Sequence, residues 1–518
     1  MSDLPSSKPG SLCPADLKPL PEVKYSTRED VVAAVKAARA AQAGWAATPQ
    51  GQREKALRSF VGALLSRRDE GMKVMRDETG RDLVENLMSD LVGAGDFVGM
   101  VIKAGRKALA KEPIALSPLN LPGKKAYIEA VPRGVVGIIA PWNYPAGNFW
   151  KSVLPALLAG NGVVLKPSEH TPRTGLWVAD VLRQVTPPGL VQVVVGDGSI
   201  GQALLESGID SIVFTGSVPS GRKVAARAGE LLIPCSVELG GKDAAIVLAD
   251  CDLPRTVAGV AQWGFHNAGQ NCAAIERVYV EEAIADTFVQ RLGAFASKLR
   301  VAPGAPLSDL GPMQNPMQLA IVERHVKEAI EQGAKLVAGG ARTGPGLGYQ
   351  ATVLDHCTHQ MKVVTDETFG PVLAVIRVKD AEEALRMAND SRYGLNGSVW
   401  TKDLKRGEAL ARRMEVGVSL VNNHAVVGII PELPWTGVKE TGFGVANSRH
   451  AYSSFVRRRG VLIDGNKNPD PWWMPADESL QPFSDALARA QMGQGSALLG
   501  VIGNLGKRIK AIKALAGG

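Results

Sequence analysis

Short β-rich apolar runs and longer amphipathic stretches alternate along most of the chain. Apolar residues recur at helical spacing through 28–115, where Thr27 and Asp30 form the pattern of a capping box. The strand-like runs that follow are 126–131, 135–140, 162–165, 191–195, 211–214, 244–248, 278–280, 372–376 and 418–422, and the helical stretches are 150–160, 172–185, 199–207, 220–230, 253–268 and 283–299. This alternation predicts an α/β class with a doubly wound parallel sheet and a second α/β unit. Two such units side by side normally enclose a ligand cleft.

The composition of the 518-residue chain is that of a globular protein with two or three domains. Hydrophobic residues make up 45% and charged residues 21%, which excludes disordered, collagen-like and disulfide-scaffold classes. The net charge is +8, but Asp485 is the last acidic residue, and five positive charges follow it. They are Arg489, Lys507, Arg508, Lys510 and Lys513. The rest of the chain is nearly neutral, so a basic nucleic-acid-binding surface is excluded for it.

The cysteines and the N-terminal segment indicate a reducing compartment. The five cysteines are Cys13, Cys235, Cys251, Cys272 and Cys357, and their wide spacing contains no C-x-x-C pattern. We therefore expect free thiols and no metal centre. The Pro- and Ser-rich first 25 residues predict an extended arm without a secretory signal, and no apolar run reaches the ~18 residues of a transmembrane helix. We expect a cytoplasmic protein.

Two motifs with small and polar residues follow predicted strands. Phe214–Gly221 (FTGSVPSG) places glycines at a strand-to-helix turn, where backbone N–H groups and a helix N-terminus can approach a phosphate. It lacks the full G-x-G-x-x-G fingerprint, and an ordinary turn also favours glycine. Lys166–Glu169 (KPSE) ends another strand, where a lysine and a carboxylate can hold ribose hydroxyls or form an ordinary solvated turn.

Two further motifs contain groups suited to covalent catalysis. In Gly269–Ala273 (GQNCA), small and amide residues leave room around Cys272, as a nucleophile requires, although a lone cysteine is more often buried and inert. In Val237–Lys242 (VELGGK), Glu238 stands beside two glycines. It can serve as a general base toward water, or it can be a surface residue before a turn.

Two more motifs offer an amide or a carboxylate beside aromatic residues. In Ala140–Pro145 (APWNYP), Asn143 stands between prolines and aromatic residues and offers a fixed amide N–H, as an oxyanion hole requires. In Asp366–Val372 (DETFGPV), a carboxylate and an aromatic residue precede a strand. Each motif taken alone is equally compatible with a structural turn.

The six motifs stand in the order and approximate spacing of the aldehyde dehydrogenase superfamily, which the sequence resembles from about residue 27 to residue 465. A seventh stretch, Pro434–Gly444, is similar to that family's Gly-rich closing segment. It departs from the family pattern with Trp435 where Phe is usual and Thr436 where Gly is usual. Seven motifs in order make coincidence implausible, and they outweigh the turn interpretation of each motif.

The resemblance implies a covalent mechanism of aldehyde oxidation. Cys272 matches the family's nucleophile, whose thiolate attacks the aldehyde carbon to give a thiohemiacetal and, after hydride transfer, a thioester. The side-chain amide of Asn143 and the backbone N–H of Cys272 match the groups that hold the oxyanion. Glu238 matches the base that activates the hydrolytic water. Because CoA-acylating relatives generally lack this glutamate, its presence predicts the free carboxylic acid as product.

The resemblance also implies a nicotinamide dinucleotide as cofactor. The matching positions are Lys166 and Glu169 at the adenosine ribose, Gly216, Ser217 and Gly221 at the pyrophosphate turn, Trp142 beside the nicotinamide end, Glu367 and Phe369 at the nicotinamide ribose, and Leu239 as a further cofactor contact. A glutamate near the 2′-hydroxyl repels a 2′-phosphate, so NAD is favoured. The small Ser168 and a Glu169 that can turn away keep NADP open.

The family fold implies a discontinuous arrangement of domains. Residues 1–121 and 135–240 would form a Rossmann-type dinucleotide-binding domain, and 241–445 an α/β catalytic domain. Residues 122–134 and 451–466 would form a β-ribbon oligomerisation flap, because their alternating patterns suit an edge ribbon that seeks a partner strand. A homodimer or homotetramer follows by analogy, and residues 482–518 form a basic extension beyond the family's usual end.

The residues near the family's substrate funnel predict the class of aldehyde. Asn148–Lys151, Trp263 and the two sides of Cys272 contribute apolar or aromatic side chains, which favour an apolar aliphatic or aromatic aldehyde. These side chains are Phe149, Trp150, Trp263, Phe265 and Ile275. The alternative is succinate semialdehyde or a similar semialdehyde, for which Lys151 and Arg277 would supply a cation. A remote alternative is a non-catalytic structural or binding member of the fold, against which the intact set of Cys272, Glu238 and Asn143 argues.

The basic extension contains a predicted amphipathic helix that begins at residue 498. Its apolar residues recur at spacings of four, three, four and three, and so share one narrow arc that excludes the lysines and has Arg508 on its flank. They are Leu498, Ile502, Leu505, Ile509 and Ile512. Gly500, Gly503 and Gly506 weaken the helix by ~1 kcal/mol each. Two alternatives stay open: the helix packs on the protein's own surface, or it contacts a membrane peripherally.

Overall fold

Two largely parallel sheets carry the predicted motifs at the ends of their strands. The computed structural model describes residues 8–117, 121–305 and 307–517. The chain divides into a larger unit, Met1–Leu109 with Val131–Arg457, and a smaller unit, Ala110–Ala130 with Arg458–Gly518. Residues 1–7 of the predicted arm, 118–120 of the predicted first domain and 518 of the extension lie outside the described residues.

The regular elements of the described residues cover most of both units. In chain order the strands are β1 (Glu112–Ile114), β2 (Lys124–Pro132), β3 (Val135–Ile139), β4 (Gly162–Lys166), β5 (Val191–Val193), β6 (Ser211–Thr215), β7 (Cys235–Glu238), β8 (Asp243–Val247), β9 (Ile275–Glu281), β10 (Lys335–Ala338), β11 (Arg342–Thr343), β12 (Gly348–Tyr349), β13 (Thr352–Asp355), β14 (Val372–Val378), β15 (Asn396–Trp400), β16 (Val418–Val421), β17 (Gly442–Phe443) and β18 (Val456–Asp464). The α-helices are α1 (Arg28–Ala47), α2 (Gln50–Ser66), α3 (Arg68–Thr79), α4 (Leu83–Asn86), α5 (Ala94–Ala108), α6 (Gly147–Leu158), α7 (Pro172–Arg183), α8 (Gly198–Glu206), α9 (Val218–Glu230), α10 (Leu253–Phe265), α11 (Glu282–Ala296), α12 (Pro316–Glu331), α13 (Lys362–Thr365), α14 (Ala381–Asn389), α15 (Leu404–Ala411), α16 (Leu480–Gln491) and α17 (Leu498–Leu515).

The first sheet of the larger unit has the strand order β17-β7-β6-β3-β4-β5, and its strands other than β17 are parallel. Strands β3 and β4 are buried throughout, as in a sheet covered on both faces. The register places Ile139 beside Lys166 and Phe214, and Phe214 beside Val237. The strands therefore end level, and the motifs that follow β3, β4, β6 and β7 meet at one edge of the sheet.

The second sheet of the larger unit brings the two other catalytic candidates close to each other. Its strand order is β10-β13-β14-β9-β8-β15-β16, and its strands other than β10 are parallel. Asp243, the first residue of β8, pairs with Ile275, the first residue of β9. Glu238 shortly precedes β8 and Cys272 shortly precedes β9. Because neighbouring parallel strands begin at the same edge, the base and the nucleophile candidates approach each other there.

Most of the predicted elements are present, but several of the observed ones are not predicted, among them β7, β13, α12, α14 and α15. The predicted helical region 28–115 ends with strand β1 (Glu112–Ile114). Helix α10 ends at Phe265 and does not continue to 268, because Asn267 and Ala268 adopt left-handed φ angles of 55° and 52°. The buried strand β15 is not predicted, because its sequence, NGSVW, contains no apolar run.

The smaller unit contains a three-stranded sheet in its described residues, in the order β1-β2-β18. Strands β1 and β2 pair antiparallel, and Lys124 of β2 forms ion pairs with Asp464 and Asp470. Strand β18 lies at the edge of this sheet. Its Leu462 and Ile463 are both more than half exposed, so this edge presents apolar side chains to solvent.

Helices α16 and α17 pack against each other in the smaller unit. Phe483 and Ala486 of α16 and Val501 of α17 form a small core between them. Arg508 of α17 is fully buried. Its guanidinium donates to the carbonyl oxygens of Pro471 (2.7 Å), Trp473 and Pro475, and pairs with Asp477 (3.0 Å). These bonds fasten α17 to the segment 471–477.

The predicted helix from residue 498 is therefore present, but its buried face differs from the predicted arc. Val501, Arg508 and Ile512 are buried, whereas Ile502 is 67% exposed. The prediction that Ile502 shares the packed face is wrong, because the hydrogen bonds of Arg508 rotate the helix away from its purely apolar stripe. Within the described ranges, no helix is long and apolar enough to cross a bilayer.

Candidate functional site

Cys272 lies in a tight turn between α10 and β9. The side-chain oxygen of Asn271 accepts the backbone N–H of Ala273 (3.1 Å), which fixes the turn. The Cys272 thiol donates to Oε1 of Glu238 at 3.3 Å. Burial raises the pKa of the Cys272 thiol well above its usual range, the Glu238 carboxylate raises it further, and the Lys151 ammonium opposes this. The Cys272 thiol is thus protonated at rest and bound to a carboxylate that can accept its proton.

Glu238 is the last residue of β7 and is held from two sides. Its Oε1 accepts the thiol of Cys272 and also the indole Nε1–H of Trp435, at 2.8 Å. The backbone N–H of Gly216 donates to the Glu238 carbonyl (3.1 Å), which links the base to the glycine turn after β6. Side chains from two separate segments therefore hold the carboxylate beside the thiol, and a third segment holds the backbone of Glu238.

The two glycines after Glu238 let the surrounding loops converge. A Cβ at Gly240 would lie 2.3 Å from Oε2 of Glu367, and a Cβ at Gly241 would lie 2.3 Å from the carbonyl oxygen of Cys272. The N–H of Gly241 also donates to the Glu367 carboxylate at 3.0 Å. The double glycine thus has a packing reason, namely the close approach of the nucleophile turn and Glu367.

Asn143 is buried and bonded to the segment that carries Cys272. Its Nδ2 donates to the carbonyl of Gln270 (3.1 Å), and its own backbone carbonyl accepts Nδ2 of Asn267 (2.8 Å). In the described ranges, the backbone N–H of Cys272 makes no hydrogen bond. An amide side chain and an unengaged backbone N–H beside one thiol are the donors that an oxyanion hole needs.

Glu367 and Phe369 lie on a turn that a buried ion pair anchors. Both oxygens of Glu276 accept backbone N–H groups of this turn, from Thr368 at 2.8 Å and from Phe369 at 2.9 Å. Glu276 is in turn paired with the buried Lys242. Phe369 has a left-handed φ of 49°, a strained conformation that these bonds maintain. Burial and the nearby Glu276 raise the pKa of Glu367 to about 8.

The Gly-rich turn after β6 leads directly into helix α9. Ser217 stands at the N-cap but makes no capping bond; its hydroxyl donates to Ser220 (3.1 Å). The N–H groups of Val218 and Ser220 in the first turn of α9 thus remain for an anion, which the helix dipole also favours. A Cβ at Gly221 would lie 2.2 Å from Leu239, so glycine lets α9 pack against the loop that follows the base.

Lys166 and Glu169 lie together at the end of β4. The buried Lys166 ammonium donates to the carbonyl of Pro167 (3.1 Å) and lies 3.9 Å from the Glu169 carboxylate. Burial lowers the pKa of Lys166. Trp142 lies farther along the same edge, with its ring 5.4 Å from that of Phe369 in an edge-on arrangement.

These groups form a donor set that fits a dinucleotide. An uncapped helix N-terminus with glycines suits a pyrophosphate, and the Lys166–Glu169 pair suits ribose hydroxyls. Glu367 contacts the two glycines that follow Glu238, and the ring of Phe369 lies beside that of Trp142. The structure thus brings all the predicted cofactor and catalytic residues to one region of the larger unit.

Three aromatic side chains, Tyr144, His266 and Trp263, lie against one another near Asn143. The Tyr144 hydroxyl and Nδ1 of His266 share a hydrogen bond of 3.1 Å, and their rings stack. Trp263 lies beside His266, with ring centroids 6.3 Å apart, and its indole N–H donates to Asn423. Burial and the nearby Arg81 lower the pKa of His266 to about 4, so its ring is neutral at neutral pH.

Four of the five side chains predicted for the funnel lie in the core. Phe265 and Ile275 belong to the buried cluster beneath the second sheet. Trp150 packs against Phe60 and donates its indole N–H to the carbonyl of Asp90, and Phe149 is 1% exposed. Their predicted role is wrong, because helix α6 is apolar around most of its circumference and its pattern does not distinguish core from cleft.

The two cations proposed for a semialdehyde differ in placement. Arg277 is buried and donates to the carbonyls of Lys242 and Ala388 and to Tyr279, so it has a structural role and its predicted substrate contact is wrong. Lys151 lies with its ammonium 5.3 Å from the ring centroid of Trp435. In the part of the chain that the structure describes, no carboxylate lies within ion-pair distance of Lys151.

The described residues also contain a groove that is separate from these motifs. A groove of about 660 Å³ lies near Cys13 and α3, but its charged side chains pair locally, as Lys73 does with Asp77 (2.6 Å). It contains none of the motif residues. Residues 8–117, 121–305 and 307–517 contain no group of three His, Cys, Asp or Glu side chains that suits a metal ion.

Sequence reasoning missed three side chains that shape the site. Lys242 and Glu276 form the ion pair behind the Glu367 turn, and Trp435 bonds the base. A usable signal exists for the first two, because a charge beside or within an apolar strand is expected to have a buried partner. The indole bond has no sequence signal, since it joins positions 197 residues apart.

Comparisons with known proteins give a consistent result. Residues 5–461 match the family described as the aldehyde dehydrogenase family. The chain is 38% identical over 437 residues to a Methylomonas protein named 4,4'-diapolycopene aldehyde oxidase, covering 84% of this chain and 82% of that protein. It is 39% identical over 462 residues to a Mycobacterium ulcerans protein that carries the name Putative succinate-semialdehyde dehydrogenase (NADP+) 2, covering 88% of each.

A solved structure gives the same picture of the fold. The structure of a Mycobacterium tuberculosis aldehyde dehydrogenase complexed with NAD+ superposes with a TM-score of 0.83 at 35% identity. The match covers 89% of this chain and 96% of that one. The predicted α/β fold of the aldehyde dehydrogenase type is thereby confirmed.

Proposed function

The chain belongs to the aldehyde dehydrogenase family, and we propose that it oxidises an aldehyde to the carboxylic acid through Cys272 with NAD+ or NADP+. One observation carries this assignment to residues. The Cys272 thiol and the Glu238 carboxylate lie 3.3 Å apart at the edge where both sheets present their motif residues. A thiol nucleophile with an adjacent carboxylate base suits both thioester formation and its hydrolysis.

In the first half of the reaction, Glu238 takes the thiol proton and the Cys272 sulfur attacks the aldehyde carbon. The new oxyanion would be held by Nδ2 of Asn143 and by the Cys272 N–H, both of which belong to the same bonded segment. When bound, the nicotinamide cofactor supplies the hydride acceptor that converts the thiohemiacetal to a thioester. The residues proposed to hold that cofactor are Trp142, Lys166, Glu169, Gly216, Ser217, Gly221, Leu239, Glu367 and Phe369.

In the second half, Glu238 acts on water. Glu238 first releases the thiol proton to solvent, and its carboxylate then removes a proton from water as the water oxygen attacks the thioester carbon. The C–S bond breaks, the carboxylic acid leaves, and the Cys272 sulfur returns to the thiol form. The fixed position of Glu238 beside the sulfur supports its use in both halves.

We place NAD first and NADP second as the cofactor. The Glu169 carboxylate would repel a 2′-phosphate, which favours NAD. Lys166 lies 3.9 Å from it and would attract that phosphate, which is the reason to retain NADP. The relatives support both, because one is named for NADP+ and a solved neighbour was complexed with NAD+.

For the substrate we propose an apolar aliphatic or aromatic aldehyde. The support is the aromatic lining by Tyr144, Trp263 and the neutral His266. A semialdehyde is the second candidate, favoured by the ammonium of Lys151 and by the relative named for succinate semialdehyde. The relatives are named for different aldehydes, so the choice between the two substrate classes rests on these side chains.

A comparison of three aldehydes tests both the activity and the substrate. We expect kcat/KM for hexanal and benzaldehyde to exceed that for succinate semialdehyde by about tenfold. An aromatic site binds methylene groups and rings favourably, whereas moving a carboxylate from water into such a site costs free energy. NADH or NADPH absorbance is the measurement. The variant Lys151→Met should lower kcat/KM for hexanal and for succinate semialdehyde by the same factor, with Lys402→Met as a surface control.

Two results would contradict this proposal. A preference for succinate semialdehyde that Lys151→Met removes would establish the second candidate. No reduced cofactor from any of the three aldehydes, with a folded protein, would favour a non-catalytic binding protein.

We propose a homodimer or homotetramer that forms through the edge of β18. The exposed Leu462 and Ile463 on this edge suit pairing with a second copy. The oligomerisation flap would then comprise residues 122–134 and 451–466. The proposed dinucleotide-binding domain comprises 1–121 with 135–240, and the proposed catalytic domain comprises 241–445.

We propose a cytoplasmic location, which is supported by five cysteines without a disulfide.

Light scattering of the intact protein tests the oligomer. The native mass should be two or four times the chain mass of 54.7 kDa. The double variant L462K/I463K should shift the mass toward that of one chain, because lysines on a strand edge oppose pairing. Leu404→Lys, at an exposed leucine of α15, is the control. An unchanged mass for the double variant would place the interface elsewhere.

We further propose that the outward face of α17 binds an anionic membrane surface. Leu499 and Ile502 are 76% and 67% exposed, and they share an arc of about 80° with Lys510 and Lys513. The helix carries four cations and no acidic side chain. Apolar side chains interleaved with lysines are typical of helices that lie at a bilayer surface, where each lysine contributes about 1 kcal/mol.

Vesicle flotation tests the membrane proposal. The full chain should float with vesicles that contain anionic phosphatidylglycerol and not with neutral phosphatidylcholine vesicles. The variant L499E/I502E should reduce the bound fraction about tenfold, whereas Leu404→Glu should not. Equal flotation of L499E/I502E and the native chain would refute the proposal and leave only the packing of α17 on its own unit.

A further inference from the structure

We propose that Trp435 is a positioning residue that holds the base Glu238 against Cys272. This inference rests on the proposed function, in which Glu238 serves as the base. The family pattern usually has Phe at this position, and a phenyl ring has no N–H to donate. The bond would therefore be a property of this chain that the family mechanism does not include.

The hydrogen bond is short and specific. Nε1 of Trp435 donates to Oε1 of Glu238 at 2.8 Å, and the same oxygen accepts the Cys272 thiol at 3.3 Å. One carboxylate oxygen is thus shared between the indole and the nucleophile, which leaves Oε2 for a second partner. When the sulfur becomes acylated, the thiol donor is lost and the indole bond alone keeps the carboxylate at the thioester.

The indole itself has little freedom to move. Trp435 is 4% exposed and packs in a cluster with Ala273, Leu395 and Val427. Its backbone N–H and carbonyl are both bonded to Ala446, at 2.7 and 2.8 Å. Because the indole N–H is fixed, its strong charge-assisted hydrogen bond also fixes the position of the Glu238 carboxylate.

Lys151 holds the ring from its face. The ammonium lies 5.3 Å from the centroid of Trp435, within the range of a cation–π contact. The edge of the indole thus faces the carboxylate, and its face receives the cation. Both contacts restrain the ring in the orientation that directs Nε1 toward Glu238.

The test uses deacylation of the enzyme without cofactor. p-Nitrophenyl acetate transfers an acetyl group to the Cys272 sulfur with release of p-nitrophenolate, and water then cleaves the acetyl thioester. We expect Trp435→Phe to give the native burst of p-nitrophenolate and about tenfold slower loss of the acetyl group, followed by intact mass. Trp45→Phe, which removes another buried indole bond of 2.8 Å, is the matched control and should deacylate at the native rate.

Hydroxylamine separates a positioning defect from a damaged site. It attacks the thioester carbon without a general base, displaces the Cys272 sulfur and leaves acetyl hydroxamate. Added to isolated acetyl-enzyme, it should release the acetyl group at equal rates from the native chain and from Trp435→Phe.

A double-mutant cycle gives the decisive result. If Trp435 acts through Glu238, Trp435→Phe should slow deacylation no further in the Glu238→Gln background. An additional loss in that background, from misfolding or any other cause, would overturn the inference, as would native deacylation by Trp435→Phe alone. Failure of the native chain to become acetylated at Cys272 would instead refute the proposed function.

Discussion

Replacing Cys272 by alanine should lower aldehyde oxidation by about 10⁴-fold or more, because no other group at the site can form the covalent adduct. The thiol is the one sulfur placed beside Glu238, at 3.3 Å in the described residues. Alanine removes the attacking atom but keeps the small volume of the side chain, so folding and cofactor binding should persist. Reduced-cofactor absorbance with hexanal measures the loss, and the thermal midpoint verifies the fold.

Cys235→Ala is the matched control for this variant. Cys235 is half-buried, and burial raises the pKa of its thiol to about 11, so it stays protonated and should not affect turnover. Selective alkylation gives a second measurement. Because burial and Glu238 raise the pKa of Cys272, its alkylation by iodoacetamide should accelerate as pH rises above neutrality. Retained oxidation by Cys272→Ala would require another nucleophile and would overturn the assignment.

The positions of the motif residues can be predicted from the sequence because parallel strands impose them. Apolar runs identify β3, β4 and β6, and the register makes these strands end level with one another and with β7. Residues just after the strands, such as Asn143 and Ser217, must then share an edge. The same argument places Glu238 and Cys272 near each other, since they precede the neighbouring strands β8 and β9.

The sequence does not predict the direction in which a side chain points. Trp150 and Phe265 stand in stretches that border the cleft, yet both are buried in the core. A hydrophobic side chain avoids water both in a packed core and in an aromatic cleft, so hydrophobicity alone does not distinguish these two locations. Arg277 fails as a substrate cation for a related reason, because a cation in a central strand must find buried carbonyls.

Sequence patterns also do not predict which side chains from distant segments bond to each other, even where a buried charge is expected to have some partner. The Trp435–Glu238 and Lys242–Glu276 contacts depend on how the closing segment and the two sheets are placed in three dimensions. In the extension, the periodic pattern predicts helix α17 but not its buried face. The four bonds of Arg508 fix the rotation of this helix about its own axis. The bonds of this single arginine thus determine which face of α17 is buried more strongly than the row of apolar side chains does.

Replacing Glu238 by glutamine should leave the first turnover and reduce the steady-state rate by about 10²- to 10⁴-fold, the range of general-base catalysis. Glutamine keeps the shape of the side chain and an oxygen that can accept the Trp435 indole N–H, but it cannot take a proton from water. Each chain should therefore release one equivalent of NADH and then accumulate the thioester. Rapid-mixing absorbance gives the burst, and intact mass gives the acyl group on Cys272.

The burst and the steady state separate the two uses of Glu238. If the carboxylate serves only water, the burst of Glu238→Gln should be as fast as the native one; if it also accepts the thiol proton, the burst should be slower but of equal amplitude. The 3.3 Å contact between the thiol and Oε1 favours the slower burst. Glu408→Gln, at an exposed glutamate of α15, is the control and should behave as the native chain. Undiminished steady-state turnover of Glu238→Gln would remove Glu238 from the mechanism, and Trp435 would then have no base to position.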